Sequence, residues 1–302
     1  MEVIQKGIYT YSDGFEEING TALPTELLLT DRISNEAVLI RLLCGTLKIN
    51  YFISRNEMEM EIEQRKNYSI PGIEENYVFK NKIIKDFFQL EHFRQVEKTN
   101  INRYLNFNRR NYFVHEEVLS ELTGALVWME SSPIEAFVHI YRTLEFMSYS
   151  FPLIYASKSM DYRGSYESLK KFMAGDSEGE LKFFKTFIKE LLKNNEILFD
   201  YTFEIYFLDG DEDLIEQELQ RIIKTRYYIF DGNTLRIKFA NIVDLIVTLR
   251  NRYFHMLLGK GPDNFYDIRY DKRKIFYAVN PVFVNWLTII YREIVNYSIG
   301  IL

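Results

Sequence analysis

The chain has 302 residues, of which 47% are hydrophobic and 26% are charged, which is the balance of a folded globular protein. Its net charge of -6 at pH 7 argues against a protein that coats nucleic acid nonspecifically. The single cysteine, Cys44, excludes an internal disulfide and a thiolate-rich zinc site, and its apolar surroundings predict a buried thiol. No basic segment followed by an apolar run opens the sequence, so we expect a cytoplasmic protein with no signal peptide and no membrane partner.

Residues 1–130 predict a mixed region that is partly β. The segment GIYTYSDGFEEINGTALP has turn chemistry between short apolar pieces and predicts one or two strands. SNEAVLIRLLCGTLKINYF predicts a helix with Ser34 or Asn35 as its cap. EMEMEIEQRKN alternates like an edge strand, but its charges fit a solvated helix equally well. These elements do not define a fold, and we interpret the region as a sensor or docking surface.

Regular helical signals begin at residue 131, so we place a domain boundary there and expect a second domain over 131–302. Ser132, Pro133 and Glu135 form a capping-box start to a long helix. The segments SEGELKFFKTFIKELLKNN, DGDEDLIEQELQRIIKTRYY and ANIVDLIVTLRNRYFHMLLG predict further helices, and YYIFDGNTLRIKF predicts a small hairpin. A last amphipathic helix starts at Pro281. Short connections predict an antiparallel bundle of four or five helices, so the fold class is mainly α.

The segment 221–280 is a basic region in an acidic protein. It contains twelve Lys or Arg and five Asp, a local charge of +7. Phosphate neutralisation by such residues supplies most nonspecific affinity for RNA. In YDIRYDKRKIFY the cations alternate with aromatic rings that could stack on unpaired bases. A solvated loop with core aromatics is the alternative. The predicted substrate-binding residues are Arg252, Arg269, Lys272, Arg273 and Lys274.

The stretch TLRNRYFHMLL places Arg250, Asn251 and His255 in an apolar, helix-patterned run. At about 100° per residue, all three lie within an arc of roughly 140°. Histidine can deprotonate a ribose 2′-hydroxyl or protonate a leaving 5′-oxygen, arginine can hold a phosphate by two donors, and asparagine can orient either group. The alternative is that these polar residues cap, pair or face water. The pattern predicts catalytic residues for phosphoryl transfer on RNA.

The same pattern occurs once more, as Arg110, Asn111 and His115 in RNYFVH. The preceding KTNINRYLNFNR is rich in asparagine and has no apolar stripe. We therefore interpret this copy as a coincidence or as an aromatic and basic contact surface, with a second catalytic half-site as the alternative.

An Arg-polar-x3-His pattern in the penultimate long helix of a C-terminal bundle resembles the HEPN domain, and the earlier YRTLEF helix is similar to the first long helix of several such domains. The resemblance covers about residues 131–302. It implies a four- or five-helix bundle that dimerises, so that two motifs form one RNA-cleaving groove without a metal. Arg250 would hold the scissile phosphate, Asn251 would orient, and His255 would act as acid or base. Many toxin-type members have a tyrosine where this chain has Leu257, which argues against control by nucleotidylation there.

The leading hypothesis is a metal-independent endoribonuclease that acts as a homodimer on RNA, with a preference for single strands. Phage defence or a toxin–antitoxin system is its expected setting, with an antitoxin or defence-complex protein as partner. No step needs a metal or another cofactor, so we expect none. The alternative is a non-catalytic helical module that binds nucleotide, RNA or protein. A cleavage subunit of a larger defence assembly would differ mainly in its partners.

Overall fold

The computed structural model describes residues 3–14, 23–53, 58–75, 85–89, 95–108, 112–157, 162–173, 181–207, 212–222, 228–254 and 273–300. Helices make up most of this part of the chain, and an antiparallel sheet lies at its N-terminal end. The prediction of a mainly α fold with a mixed, partly β N-terminal region is therefore confirmed.

The strands in the described ranges form three antiparallel sheets. A four-stranded meander in the order β1-β2-β3-β4 comprises β1 (Ile4–Lys6), β2 (Tyr9–Asp13), β3 (Leu47–Ile53) and β4 (Met58–Gln64). A two-stranded ribbon pairs β5 (Lys66–Asn67) with β6 (Glu74–Glu75), and a three-stranded sheet in the order β7-β9-β8 contains β7 (Thr202–Tyr206), β8 (Tyr228–Asp231) and β9 (Thr234–Lys238).

Helices of four residues or more occur throughout the described part of the chain. They are α1 (Asn35–Leu43), α2 (Gln95–Phe107), α3 (Tyr112–Trp128), α4 (Pro133–Ser157), α5 (Tyr162–Met173), α6 (Lys182–Leu191), α7 (Glu196–Phe199), α8 (Glu212–Ile222), α9 (Ile242–Phe254) and α10 (Arg273–Gly300).

Several local predictions are confirmed at the residues that carried them. The Ser34 hydroxyl accepts a hydrogen bond from the Ala37 N–H and caps α1, as predicted. The helix is shorter than predicted, because it ends at Leu43 and the second half of the same segment forms strand β3. The alternating acidic segment is the edge strand β4 and not a helix. Helix α4 begins at Pro133, and the hairpin β8–β9 turns through Gly232 at φ +59°.

The predicted start of the last helix at Pro281 is wrong. Helix α10 begins at Arg273 and contains Pro281 in its interior. An internal proline costs a helix about 3 kcal/mol, but the residues before it bury apolar side chains that offset this cost. Phe276, for example, is fully buried, with its ring centroid 4.7 Å from that of Phe137 and 5.3 Å from that of Tyr253.

Helix α10 is the central element of the molecule. Most of its side chains are buried, and its polar side chains donate to backbone carbonyls of other segments. The Trp286 indole donates to the Phe239 carbonyl at 2.9 Å, Asn285 donates to Tyr68 at 2.6 Å, and Arg292 donates to Ser69 at 2.6 Å. These bonds hold the loop after β5 and the end of β9 against the helix, because an unpaired buried donor is costly.

The apolar core is continuous across the predicted boundary at 130/131. Helices α3 and α4 pack side by side, and buried residues of both belong to the same core. Gly124 of α3 permits the close approach, since a Cβ atom there would lie 2.7 Å from the His139 ring of α4. The division into two domains remains a prediction.

The thiol of Cys44 is buried, as predicted, and burial raises its pKa far above the usual range. In the described part of the chain, none of the helices combines the length and the apolar character needed to cross a bilayer.

Candidate functional site

Helices α4 and α9 run side by side in opposite directions at the predicted site. Arg250 of α9 contacts Tyr141 and Glu145 of α4, and Phe254, one turn later in α9, stacks on Phe137 with 5.6 Å between the ring centroids. As the sequence position rises from 250 to 254 along α9, the position of the contacted residue on α4 falls, so the two helices are antiparallel. This pairing brings together the two segments on which the resemblance rested, TLRNRYFHMLL and YRTLEF.

The guanidinium of Arg250 is positioned by an aromatic face and not by a close ion pair. Its central carbon lies 4.8 Å from the centroid of the Tyr141 ring, within the range of a cation–π contact. One Nη lies 3.9 Å from Glu145 Oε1, and the other donates to the Asn251 side-chain oxygen at 3.1 Å. The side chain is 23% exposed. It is held in place and still reaches the surface.

Asn251 is exposed on α9 beside this guanidinium, so its amide can orient Arg250 directly. His255 lies outside the described residues, and its placement relative to Arg250 remains a prediction. Phe254 is the last described residue of the helix.

Arg252 differs from Arg250 in its surroundings. Its Nε lies 3.1 Å from the Glu218 carboxylate of α8, and the two side chains are 16% and 7% exposed. Removing one partner of such a covered pair leaves a buried charge, so the pair acts as a tie between α8 and α9. This contact favours a structural role for Arg252 over the predicted role in substrate binding.

The local charge of the basic segment is reduced by acids from outside it. Arg236 lies 2.9 Å from Glu204, and Lys238 lies 3.1 Å from Asp200. In α9, Arg252 lies close to Glu218, and Arg250 lies 3.9 Å from Glu145. The charge of +7 counted along the sequence therefore overstates the positive field that this segment presents to a ligand.

Two of the predicted substrate-binding residues, Arg273 and Lys274, line a pocket of about 300 Å³ with Tyr277 and Glu130. The pocket lies where α10 and α4 begin, and the end of α9 runs toward it along α4. Tyr277 is 46% exposed, so its ring is available for stacking. The other two residues, Arg269 and Lys272, lie outside the described part of the chain.

The second copy of the pattern is in a different environment. His115 is 5% exposed on α3, with its Nδ1 atom 3.3 Å from the Tyr291 hydroxyl and its Nε2 atom 3.5 Å from Glu36 Oε2. Arg110 and Asn111 lie outside the described residues. His115 itself is enclosed and does not contribute to a contact surface, whereas Phe113 of the same copy is 64% exposed. The contact surface predicted for this copy remains a prediction.

Two features of the site were not identified from the sequence as functional. Glu145 and Tyr141, four residues apart on α4, form the cradle of Arg250, and only their helical spacing hinted that they share a face. Glu121 and His139 form a second polar pair, with 2.7 Å between Oε2 and Nδ1, and Arg142 binds the other carboxylate oxygen at 2.9 Å. No local pattern marked this pair, because it joins two helices.

Comparison of the chain with protein-family models, with curated proteins and with solved structures finds no match.

Proposed function

We propose that the chain is a metal-independent endoribonuclease that acts as a homodimer, with Arg250, Asn251 and His255 as its catalytic residues. The observation that supports this proposal is the set of contacts made by the Arg250 guanidinium. Its guanidinium rests on the Tyr141 ring, and its nearest carboxylate, at 3.9 Å, is farther away than in the ion pairs of Arg236 and Arg252. A cation–π contact occupies none of the guanidinium N–H groups, so those that do not bind Asn251 remain for a phosphate.

The chemistry follows from the three residue types. The 2′-oxygen attacks the adjacent phosphorus, the bond from phosphorus to the 5′-oxygen breaks, and the products are a 2′,3′-cyclic phosphate and a 5′-hydroxyl. One histidine takes the proton of the 2′-hydroxyl and a second gives a proton to the leaving oxygen. Arg250 stabilises the charge that grows on the phosphate oxygens, and Asn251 holds the guanidinium. Since the proposed motif contains one histidine, His255, two histidines per site require two copies of the chain.

An exposed stripe on α4 supports dimerisation next to the motif. Apolar side chains emerge at Val138, Tyr149 and Leu153, which are 36%, 66% and 53% exposed. Arg142 and Glu145 lie between them at helical spacing and are also exposed. Large apolar side chains grouped on one helix face mark contact surfaces more often than solvated ones. A second copy packed on this α4 stripe would lie against the residues that hold Arg250.

Cleavage of a single-stranded RNA in excess EDTA tests the proposal. Arg250→Ala should lower the rate by about 100-fold to 1000-fold, the usual loss when one group that stabilises transition-state charge is removed. Arg236→Ala is the matched control, since it removes the same charge from the same basic segment and should retain the wild-type rate. Equal rates for wild type and Arg250→Ala would contradict the assignment, as would the same loss in both variants.

We also propose that the activity serves phage defence or a toxin–antitoxin system. Expression of the wild-type chain should then slow bacterial growth, and Arg250→Ala should restore growth at an equal level of soluble protein. Toxicity that persists at full strength in Arg250→Ala would exclude RNA cleavage as its cause.

A non-catalytic binding module is the second candidate. The observation that favours it is the set of contacts that Arg250 makes within its own chain, with Tyr141, Glu145 and Asn251. In this case the wild type would bind the RNA without cutting it, and Arg250→Ala would lower the melting temperature. Cleavage and binding measured on the same RNA separate the two functions.

A further inference from the structure

A pocket of about 190 Å³ opens where helix α1 begins, away from the predicted catalytic helix. It lies between α1, the end of α2 and the start of α3. The residues that matter for its chemistry are Arg32, Asn35, Glu36, Asn108 and His115.

The carboxylate of Glu36 is fixed in this pocket by neighbours that donate to it. The Tyr104 hydroxyl donates to Oε1 at 2.6 Å, and the Asn108 amide lies 3.2 Å from Oε2. Burial and the charge of Glu36 both raise the pKa of Tyr104 well above its usual range, so the phenol remains a neutral donor. Glu36 is 2% exposed, and its position is therefore set before any ligand binds.

Two buried polar atoms on residues that line the pocket have no hydrogen-bond partner among the described residues. They are the Nε2 atom of His115 and the Oδ1 atom of Asn35, whose residues are 5% and 2% exposed. His115 Nε2 lies 3.5 Å from Glu36 Oε2 without forming a hydrogen bond. An unpaired buried polar atom costs about 1–3 kcal/mol, so two of them in one pocket point to a bound group that pairs with them.

We propose that this pocket binds a planar nitrogen heterocycle with adjacent N–H donors, the chemistry of a guanine base. Asn35 Oδ1 is an unpaired acceptor, and Glu36 Oε2 has a lone pair besides the one that accepts from Asn108, so the two side chains offer acceptors to two N–H donors. His115 Nε2 donates or accepts according to its tautomer. A cavity of about 150 Å³ holds a benzene ring, so this pocket holds a base but not a whole nucleotide. The exposed Arg32 at the rim would meet any phosphate attached to that base.

Calorimetric titration of the full chain with guanosine, inosine and agmatine tests the proposal. Guanosine should bind with a Kd below about 100 µM, and inosine, which lacks the exocyclic amine, should bind at least about 10-fold more weakly. Agmatine carries paired N–H donors on a non-aromatic cation and should not bind. The absence of guanosine binding at about 1 mM would overturn the proposal. Equal affinity for inosine, or binding of agmatine alone, would also overturn it.

A variant that removes one acceptor separates a binding role from a structural one. Asn35→Leu should weaken guanosine at least about 10-fold and leave the melting temperature unchanged or raised, because an unpaired buried oxygen is replaced by an apolar group. Glu36→Gln should weaken guanosine in the same direction. Asn106→Leu, at an exposed position of α2, is the matched control and should bind like wild type. Wild-type affinity in Asn35→Leu would overturn the proposal.

The titration contains no RNA, and His255→Ala should bind guanosine as the wild type does. Failure of this proposal is therefore distinguishable from failure of the proposed nuclease activity.

Discussion

Two stretches of this chain carry the same Arg-Asn-x3-His pattern, and the fold treats them in opposite ways. Arg250 lies on α9 with a partly exposed guanidinium that rests on Tyr141. His115 lies inside α3, where Tyr291 and Glu36 enclose its ring. One copy presents a guanidinium to the surface, and the other places its histidine in a buried polar cluster.

The difference teaches that spacing along a helix does not decide chemistry. The spacing predicts one helical face for each copy, but the neighbours of the described residues differ. At α9 the partner is an aromatic ring and a carboxylate 3.9 Å away. At α3 it is a buried carboxylate and a phenol. A pattern acts as a site only where the neighbouring element leaves room for a substrate.

The largest effect is expected from a charge on the exposed α4 stripe. Tyr149→Asp should dissociate the dimer and lower RNA cleavage by about 100-fold or more, because a buried unpaired charge at an interface costs several kcal/mol. Tyr166→Asp is the control, at a position of α5 that is 61% exposed and outside the stripe. Light scattering and cleavage rates measure both variants. A monomeric Tyr149→Asp with full activity would show that dimerisation is not required.

Substitution of the buried histidine, His115, should lower the stability of the fold. His115→Ala removes an enclosed ring and leaves a cavity beside Glu36, so the free energy of unfolding should fall by about 2–4 kcal/mol. Arg250→Ala, at the exposed copy, should lower it by less than about 1 kcal/mol. Urea denaturation of the two variants measures the contrast. Similar losses would remove the distinction between the two environments.

Packing between α3, which carries the buried copy, and α4, which contacts Arg250, should be sensitive to one methyl group. Gly124→Ala places a Cβ 2.7 Å from the His139 ring, which Glu121 holds in place, and should destabilise by about 1–3 kcal/mol. Gly300→Ala is the control, since its Cβ would meet nothing within 4 Å. The double variant Gly124→Ala, His139→Ala should recover part of the loss. A destabilisation that the second substitution leaves unchanged would rule out this contact as its cause.

The smallest effect is expected at the carboxylate nearest to Arg250. Glu145→Gln removes a long, half-exposed charge contact, which is worth less than about 1 kcal/mol. RNA should bind up to a few-fold more tightly, with kcat unchanged, because a competing charge is lost. Steady-state kinetics separate KM from kcat. A large drop in kcat would instead place Glu145 in the chemistry.

Local signals in the sequence predicted much of the fold. Ser34, Pro133 and the Asp-Gly-Asn turn are short-range features, and each marks the element that the structure has there. The alternation in EMEMEIEQRKN was compatible with a helix and with an edge strand. The structure has a strand there, which pairs with β3. The predicted helix start at Pro281 was wrong, because the free-energy cost of an internal proline is offset by tertiary packing of the helical residues before it.

The site was less predictable, because its contacts join distant parts of the chain. Arg250 was identified from spacing, but its support by Tyr141 depends on how α9 packs on α4. The buried cluster around His115 links residues 68 positions apart through Tyr104 and Glu36, and 176 positions apart through Tyr291. Such pairings leave no periodic signal in a single sequence.

Cleavage of RNA in excess EDTA by wild type, His255→Ala and His115→Ala shows whether His255 is the catalytic histidine. Thermal melts first establish that each variant is folded. Wild type and folded His115→Ala should cut the RNA at similar rates, and His255→Ala should lose about 100-fold or more. The contradictory result is a His255→Ala variant that cleaves like wild type, or a loss confined to folded His115→Ala, which would move the chemistry to the buried copy.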